Sequence, residues 1–108
     1  MKTIKYYYFP VFSVAILVLI GGCKKNTFDT SLLYTPTNAD VTANATLQEL
    51  QQGRTLYINN CNSCHGLFSP DDYAPSQLKS ILGLMAPKTY MSTSEIQLVT
   101  KYVCKGNQ

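Results

Sequence analysis

Apolar positions recur at steps of three and four through the middle of the chain. Leu47, Leu50, Gly53, Tyr57 and Cys61 fall on one face of a predicted helix, and Thr46 followed by Glu49 has the spacing of a capping box that opens it. That helix is expected to end near Asn60. A second helical pattern covers residues 93–105, with Ile96, Val99 and Val103 along one line and Leu98 and Tyr102 beside it. Ser92 and Glu95 form its capping box and Gly106 its stop. Between the two lie a turn-rich stretch, SPDDYAP, and a short apolar helix predicted over residues 76–82 that closes at Gly83. No segment shows the sustained alternation of a half-buried strand, so the expected fold class is all-α. Gly53 in mid-helix costs roughly 1 kcal/mol against alanine, which points to another backbone approaching closely there.

The front of the chain follows a different pattern. Two lysines, Lys2 and Lys5, precede an uncharged apolar stretch over residues 6–20, the arrangement of a signal peptide. A membrane-spanning helix needs ~20 apolar residues; about fifteen stand here before Gly21 and Gly22, and Pro10 interrupts them. Leu19-Ile20-Gly21-Gly22-Cys23 resembles a bacterial lipobox, which implies that Cys23 is lipidated, becomes the mature N-terminus and anchors the protein to a membrane on its extracytoplasmic, periplasmic side. Residues 24–45 are dense in Thr, Asn and Ala without sustained periodicity. They read as a flexible tether spanning on the order of 25 Å root-mean-square. The competing reading is an arm packed on the domain through Phe28, Leu32, Leu33 and Tyr34. The expected organisation is thus a signal peptide at 1–22, a lipidated cysteine and tether at 23–45, and a folded domain at 46–108.

Charge narrows the choice of partner. Outside the export segment seven basic side chains face six acidic ones, and such balance gives no reason to expect nucleic acid. Size matters more. A domain of ~60 residues buries only about 60% of its unfolded surface, so a bound group that adds to the core is expected.

The candidate chemistry sits at residues 60–66, NCNSCHG, where His65 is the single histidine of the chain. Cys61-x-x-Cys64-His65 is the signature of covalent c-type haem attachment. Two thiols on one turn of chain each add to a vinyl group of the same porphyrin, and the histidine that follows serves the iron as proximal ligand. A thioredoxin-type dithiol would instead need a preceding strand, which the pattern lacks. A zinc site from Cys61, Cys64, His65 and Cys104 has suitable ligand types, but the adjacent Cys64 and His65 diverge from one tetrahedral ion. Cys104 is left over and reads as a small buried residue.

Residues 53–106 resemble a small class I cytochrome c. The resemblance is carried, in order, by Gly53-x-x-x-Tyr57-x-x-x-Cys61, the attachment motif with Gly66, the pair Ala74-Pro75, Met85 with Pro87 close behind, and the terminal helix holding Tyr102. It implies first and last helices crossed around one covalent haem c, with Gly53 and Tyr57 meeting Tyr102. It also implies His65 as proximal ligand, the Pro75 carbonyl accepting from its other ring nitrogen, and Met85 as the second axial ligand. This chain has Met85-Ala86-Pro87 where the family has Met-Pro, and Met91 is the competing ligand. Met91, however, stands where a hydrophobic staple to Ile96 accounts for it.

The function so implied is a membrane-tethered, single-haem electron carrier between extracytoplasmic redox proteins, and not an enzyme. Two alternatives are a haem-based sensor or peroxidatic protein with an open sixth position and a cytochrome subunit of a larger respiratory or dehydrogenase complex. The sensor reading lacks a distal histidine, and the only arginine, Arg54, falls on the first helix.

Overall fold

Helix-starting chemistry does what the sequence spacing predicts. The Thr46 hydroxyl accepts from the Glu49 N–H at 3.2 Å while the Glu49 carboxylate accepts from the Thr46 N–H at 2.9 Å. Helix α1 (Leu47–Cys61) follows. Ser92 and Glu95 make the same reciprocal pair, at 3.3 and 2.7 Å, ahead of α3 (Thr93–Val103). Between them lies α2 (Pro75–Met85), with proline in its first turn, where the missing N–H costs nothing. The computed structural model describes residues 29–107, so the signal-peptide and Cys23 readings lie outside the described residues. Among those described, the fold is all-α, and the only β pairing is an isolated bridge between Thr42 and Ala45. No described helix is long and apolar enough to cross a membrane.

The principal interface joins α1 to α3. Leu50, Val99 and Tyr102 are fully buried, and the Lys101 ammonium meets the Glu49 carboxylate at 2.5 Å across the helix pair. Gly53 makes the closeness possible. A Cβ there would stand 2.1 Å from the Leu98 carbonyl oxygen and 2.8 Å from the Tyr102 Cβ, so any side chain would force the helices apart. Tyr57 packs on Tyr102 with ring centroids 5.8 Å apart, and the expected meeting of Gly53 and Tyr57 with Tyr102 is thereby formed.

At the end of α3 the left-handed position is taken by Lys105, at φ 51°, with Gly106 at φ 71° after it. Gly106 N–H returns to the Lys101 carbonyl at 2.8 Å and Lys105 N–H to the Tyr102 carbonyl at 3.0 Å, which is the Schellman pattern. Gly106 also has no room for a side chain, since a Cβ would lie 2.6 Å from the Thr42 hydroxyl.

Two expectations need correction. Helix α2 does not close at Gly83 but runs on to Met85, because Gly83 is not in the left-handed conformation that would end it. Pro87 ends it instead: the chain tightens into a 3-10 turn at Ala86–Lys88, where a residue without an N–H is tolerated. Residues 30–45, read as tether, are packed on the helices. Leu33 is 2% exposed, and Tyr34 stacks on Tyr102 with centroids 4.8 Å apart and planes 6° from parallel. The Arg54 guanidinium donates to the carbonyls of Thr30 and Tyr34, and the Tyr102 hydroxyl also donates to the Tyr34 carbonyl. The Tyr34 hydroxyl returns a bond to the Tyr102 carbonyl at 2.9 Å. Among the described residues the folded unit therefore reaches back at least to Thr30, sixteen residues ahead of Thr46, the expected start.

This tyrosine cluster sets an alkaline limit. Burial raises the phenol pKa values of Tyr34, Tyr57 and Tyr102, the last to about 12, so the folded state retains protons that the unfolded chain releases near pH ~10. The stability it contributes is complete below that range and is lost as pH rises toward 12. Calorimetry across pH is expected to show a melting temperature that falls steeply above pH ~10, with a shallower fall in Tyr34→Phe. An equal slope in both proteins would contradict the role given to Tyr34.

Candidate functional site

The motif emerges from the last turn of α1. Cys61, its final residue, continues the buried line of Leu50, Gly53 and Tyr57 and packs half-buried against the core. After it the chain turns away from the helix axis, leaving Cys64 and His65 exposed on the surface. Local bonds shape that turn: the Ser63 hydroxyl donates to the Asn60 carbonyl at 3.1 Å, and the Asn60 amide donates to the Leu56 carbonyl at 2.9 Å.

The far side of the turn is fixed as firmly as the near side. Leu67 is buried, and the Tyr57 hydroxyl both donates to the Phe68 carbonyl at 2.8 Å and accepts from the Phe68 N–H at 3.2 Å. One side chain of α1 thus clamps the backbone three residues beyond His65. Sequence periodicity places Tyr57 on the core face but carries no sign of this clamp, since its partners are backbone atoms.

His65 Nδ1 lies 2.7 Å from the Gly66 carbonyl oxygen. A carbonyl can only accept, so Nδ1 is the donor, the arrangement in which a backbone carbonyl orients a metal-ligating imidazole through its other nitrogen. The resemblance assigned that acceptor role to Pro75. Here the Pro75 carbonyl faces the Cys104 thiol at 3.7 Å, and Gly66 supplies the acceptor for His65. The neighbouring residue is the nearer candidate because the bond closes within one peptide unit.

Cys61 is unlike an activated redox thiol. Cys61, Cys64 and Cys104 are free. Burial, with Cys64 as a second cause, pushes the Cys61 thiol above its ordinary range. Its place at a helix C-terminus, where the dipole opposes negative charge, also differs from the N-terminal site of low-pKa redox cysteines. Cys104 is buried, its thiol shifted upward by burial, and it caps the C-terminus of α3 toward Pro75 of α2. Among the described residues no three His, Cys, Asp or Glu side chains converge as a metal-holding group.

What lies beside the imidazole is aromatic. Phe68 stands 5.5 Å from the His65 ring by centroids and is 46% exposed, and Tyr73 meets it edge-on at 5.8 Å. Two thiols, an imidazole oriented through Nδ1 and an adjacent aromatic ring are side chains that suit a flat macrocycle bonded at its edge and ligated from one side. The sequence reading did not single out Phe68.

The two candidate methionines differ in setting. Met91 packs against the core cluster, whereas Met85 is half-buried at the end of α2 and is not part of that packing. No family model, no curated protein and no solved structure matches this chain.

Proposed function

We propose that this protein is an exported, membrane-anchored class I cytochrome c that carries one covalent haem and passes single electrons between extracytoplasmic protein partners. The observation that carries the reading is the clamped turn on which Cys61, Cys64 and an oriented His65 stand together. Cys61 and Cys64 would hold the macrocycle through thioethers, and His65 would ligate the iron through Nε2. Bound there, haem supplies reversible one-electron exchange between ferric and ferrous iron. The protein's part is to hold still. With α1 fixing one side of the turn and Tyr57 the other, the ligand frame need not rearrange when the charge at the site changes.

Met85 is the residue proposed for the sixth position, because Met91 already has a packing role. Met85→Ala is expected to abolish the weak ferric sulfur-to-iron absorption band, lower the midpoint potential and admit carbon monoxide to the reduced protein. Met91→Ala is expected to keep the band and cost about 2 kcal/mol of stability. Loss of the band in Met91→Ala alone would move the ligand to Met91. A wild-type protein that binds carbon monoxide freely would favour the sensor reading. The carrier function itself is tested by reductive titration of the purified chain, for which uptake of one electron per chain is expected; an uptake of two would point to dithiol chemistry.

A further inference from the structure

The arm changes how far the domain reaches from its anchor. Its backbone is fixed from Thr30 onward, where Arg54 holds the Thr30 carbonyl at 3.1 Å, and Leu33 is buried three residues later. Resting on the reading of Cys23 as lipidated, only seven residue steps separate the anchor from fixed backbone, at most ~25 Å of chain. A tether extending to Thr46 would have allowed about 80 Å. The domain is itself only about 25–30 Å across for its length, so the short link holds one side of it toward the bilayer.

The arm carries exposed apolar side chains. Leu32, on the turn between the two carbonyls that Arg54 holds, is 69% exposed, and Val41 further along the arm is 46% exposed. We propose that the arm over residues 30–45 is the membrane-facing surface of the domain, with Leu32 inserted at the boundary between headgroups and acyl chains. Leu32 is too small to bind a bilayer alone, so the lipid supplies the affinity and the arm supplies the orientation. The carboxylates of Asp29 and Asp40 are held ionised by the Ser31 and Thr37 N–H groups and oppose an anionic surface, which makes a zwitterionic bilayer the proper probe.

The chain contains no tryptophan, so one introduced residue serves as the only such reporter. Full-length holoprotein carrying Leu32→Trp or Tyr90→Trp is placed on phosphatidylcholine vesicles with plain or brominated acyl chains, and the emission ratio between the two lipids cancels quenching by haem. Tyr90 is fully exposed on the α2–α3 connection and serves as the comparison site. Brominated lipid is expected to remove about half or more of the Leu32→Trp emission, as for side chains within ~10 Å of the acyl boundary, and little of the Tyr90→Trp emission. Inserting twenty Gly/Ser residues after Lys25 is expected to erase the difference. Equal quenching at both sites, in protein that floats with the vesicles, would overturn the surface and leave the anchor standing. Protein that fails to float would overturn the anchor and the surface with it.

Discussion

Cys61→Ala combined with Cys64→Ala is expected to abolish the cooperative unfolding transition of the protein, as read by calorimetry and near-ultraviolet circular dichroism. The reason lies in α2. Of its eleven residues only Leu78 is buried, while Leu84 is 69% exposed. Helices shorter than ~12–15 residues are marginal in water without a packed face, and the core offers α2 too little surface of its own. On the proposal that haem bound at the motif completes this core, the motif turn and α2 are expected to lose hydrogen-exchange protection in the double variant, with α1 and α3 left as a loosely associated pair. A variant that melts in one sharp transition close to that of the holoprotein would show that the polypeptide alone suffices.

The second large effect is expected at Gly53. Alanine improves helix propensity by roughly 1 kcal/mol, but the added Cβ would meet the Leu98 carbonyl oxygen at 2.1 Å and the Tyr102 Cβ at 2.8 Å. Neither neighbour is the end of a flexible chain, so relief requires α1 and α3 to separate along the interface that holds Val99 and Tyr102. Overpacking of this kind costs about 3 kcal/mol or more, which lowers the melting temperature of a domain this size by on the order of 10–20 °C. Gly83 is the control, for it lies within α2 with nothing inside 4 Å of a built Cβ. Gly83→Ala is expected to be neutral or stabilising by up to about 1 kcal/mol. Equal melting temperatures for Gly53→Ala and Gly83→Ala would remove the close-approach account of the helix pair.

These positions show where the sequence is informative. Gly53 is conspicuous because glycine is costly in a helix, and the capping residues Thr46, Glu49, Ser92 and Glu95 act on their own helix, so spacing alone places them. The arm gave no such signal. Its anchoring depends on Arg54 and Tyr102 donating to backbone carbonyls of Thr30 and Tyr34, which any residue would present, and on a tyrosine stack between residues 68 positions apart. Gly83 misled because glycine ends a helix only when it adopts the left-handed conformation, and here Pro87 stops α2 first. At the site the sequence marks Cys61, Cys64 and His65 as one motif, and the structure places them on one turn after α1. The local acceptor at Gly66, the Tyr57 clamp and the Phe68 ring were not legible in the sequence, because each is a product of how the turn folds back on α1.

Covalent haem at Cys61 and Cys64 is tested most directly by the alkaline pyridine haemochrome spectrum of the chain purified from a host with haem-attachment machinery. The expected result is a c-type spectrum at one haem per chain that survives extraction with acidified acetone and is lost in the double cysteine variant. A chain that carries no haem, or haem that the solvent removes, would contradict it.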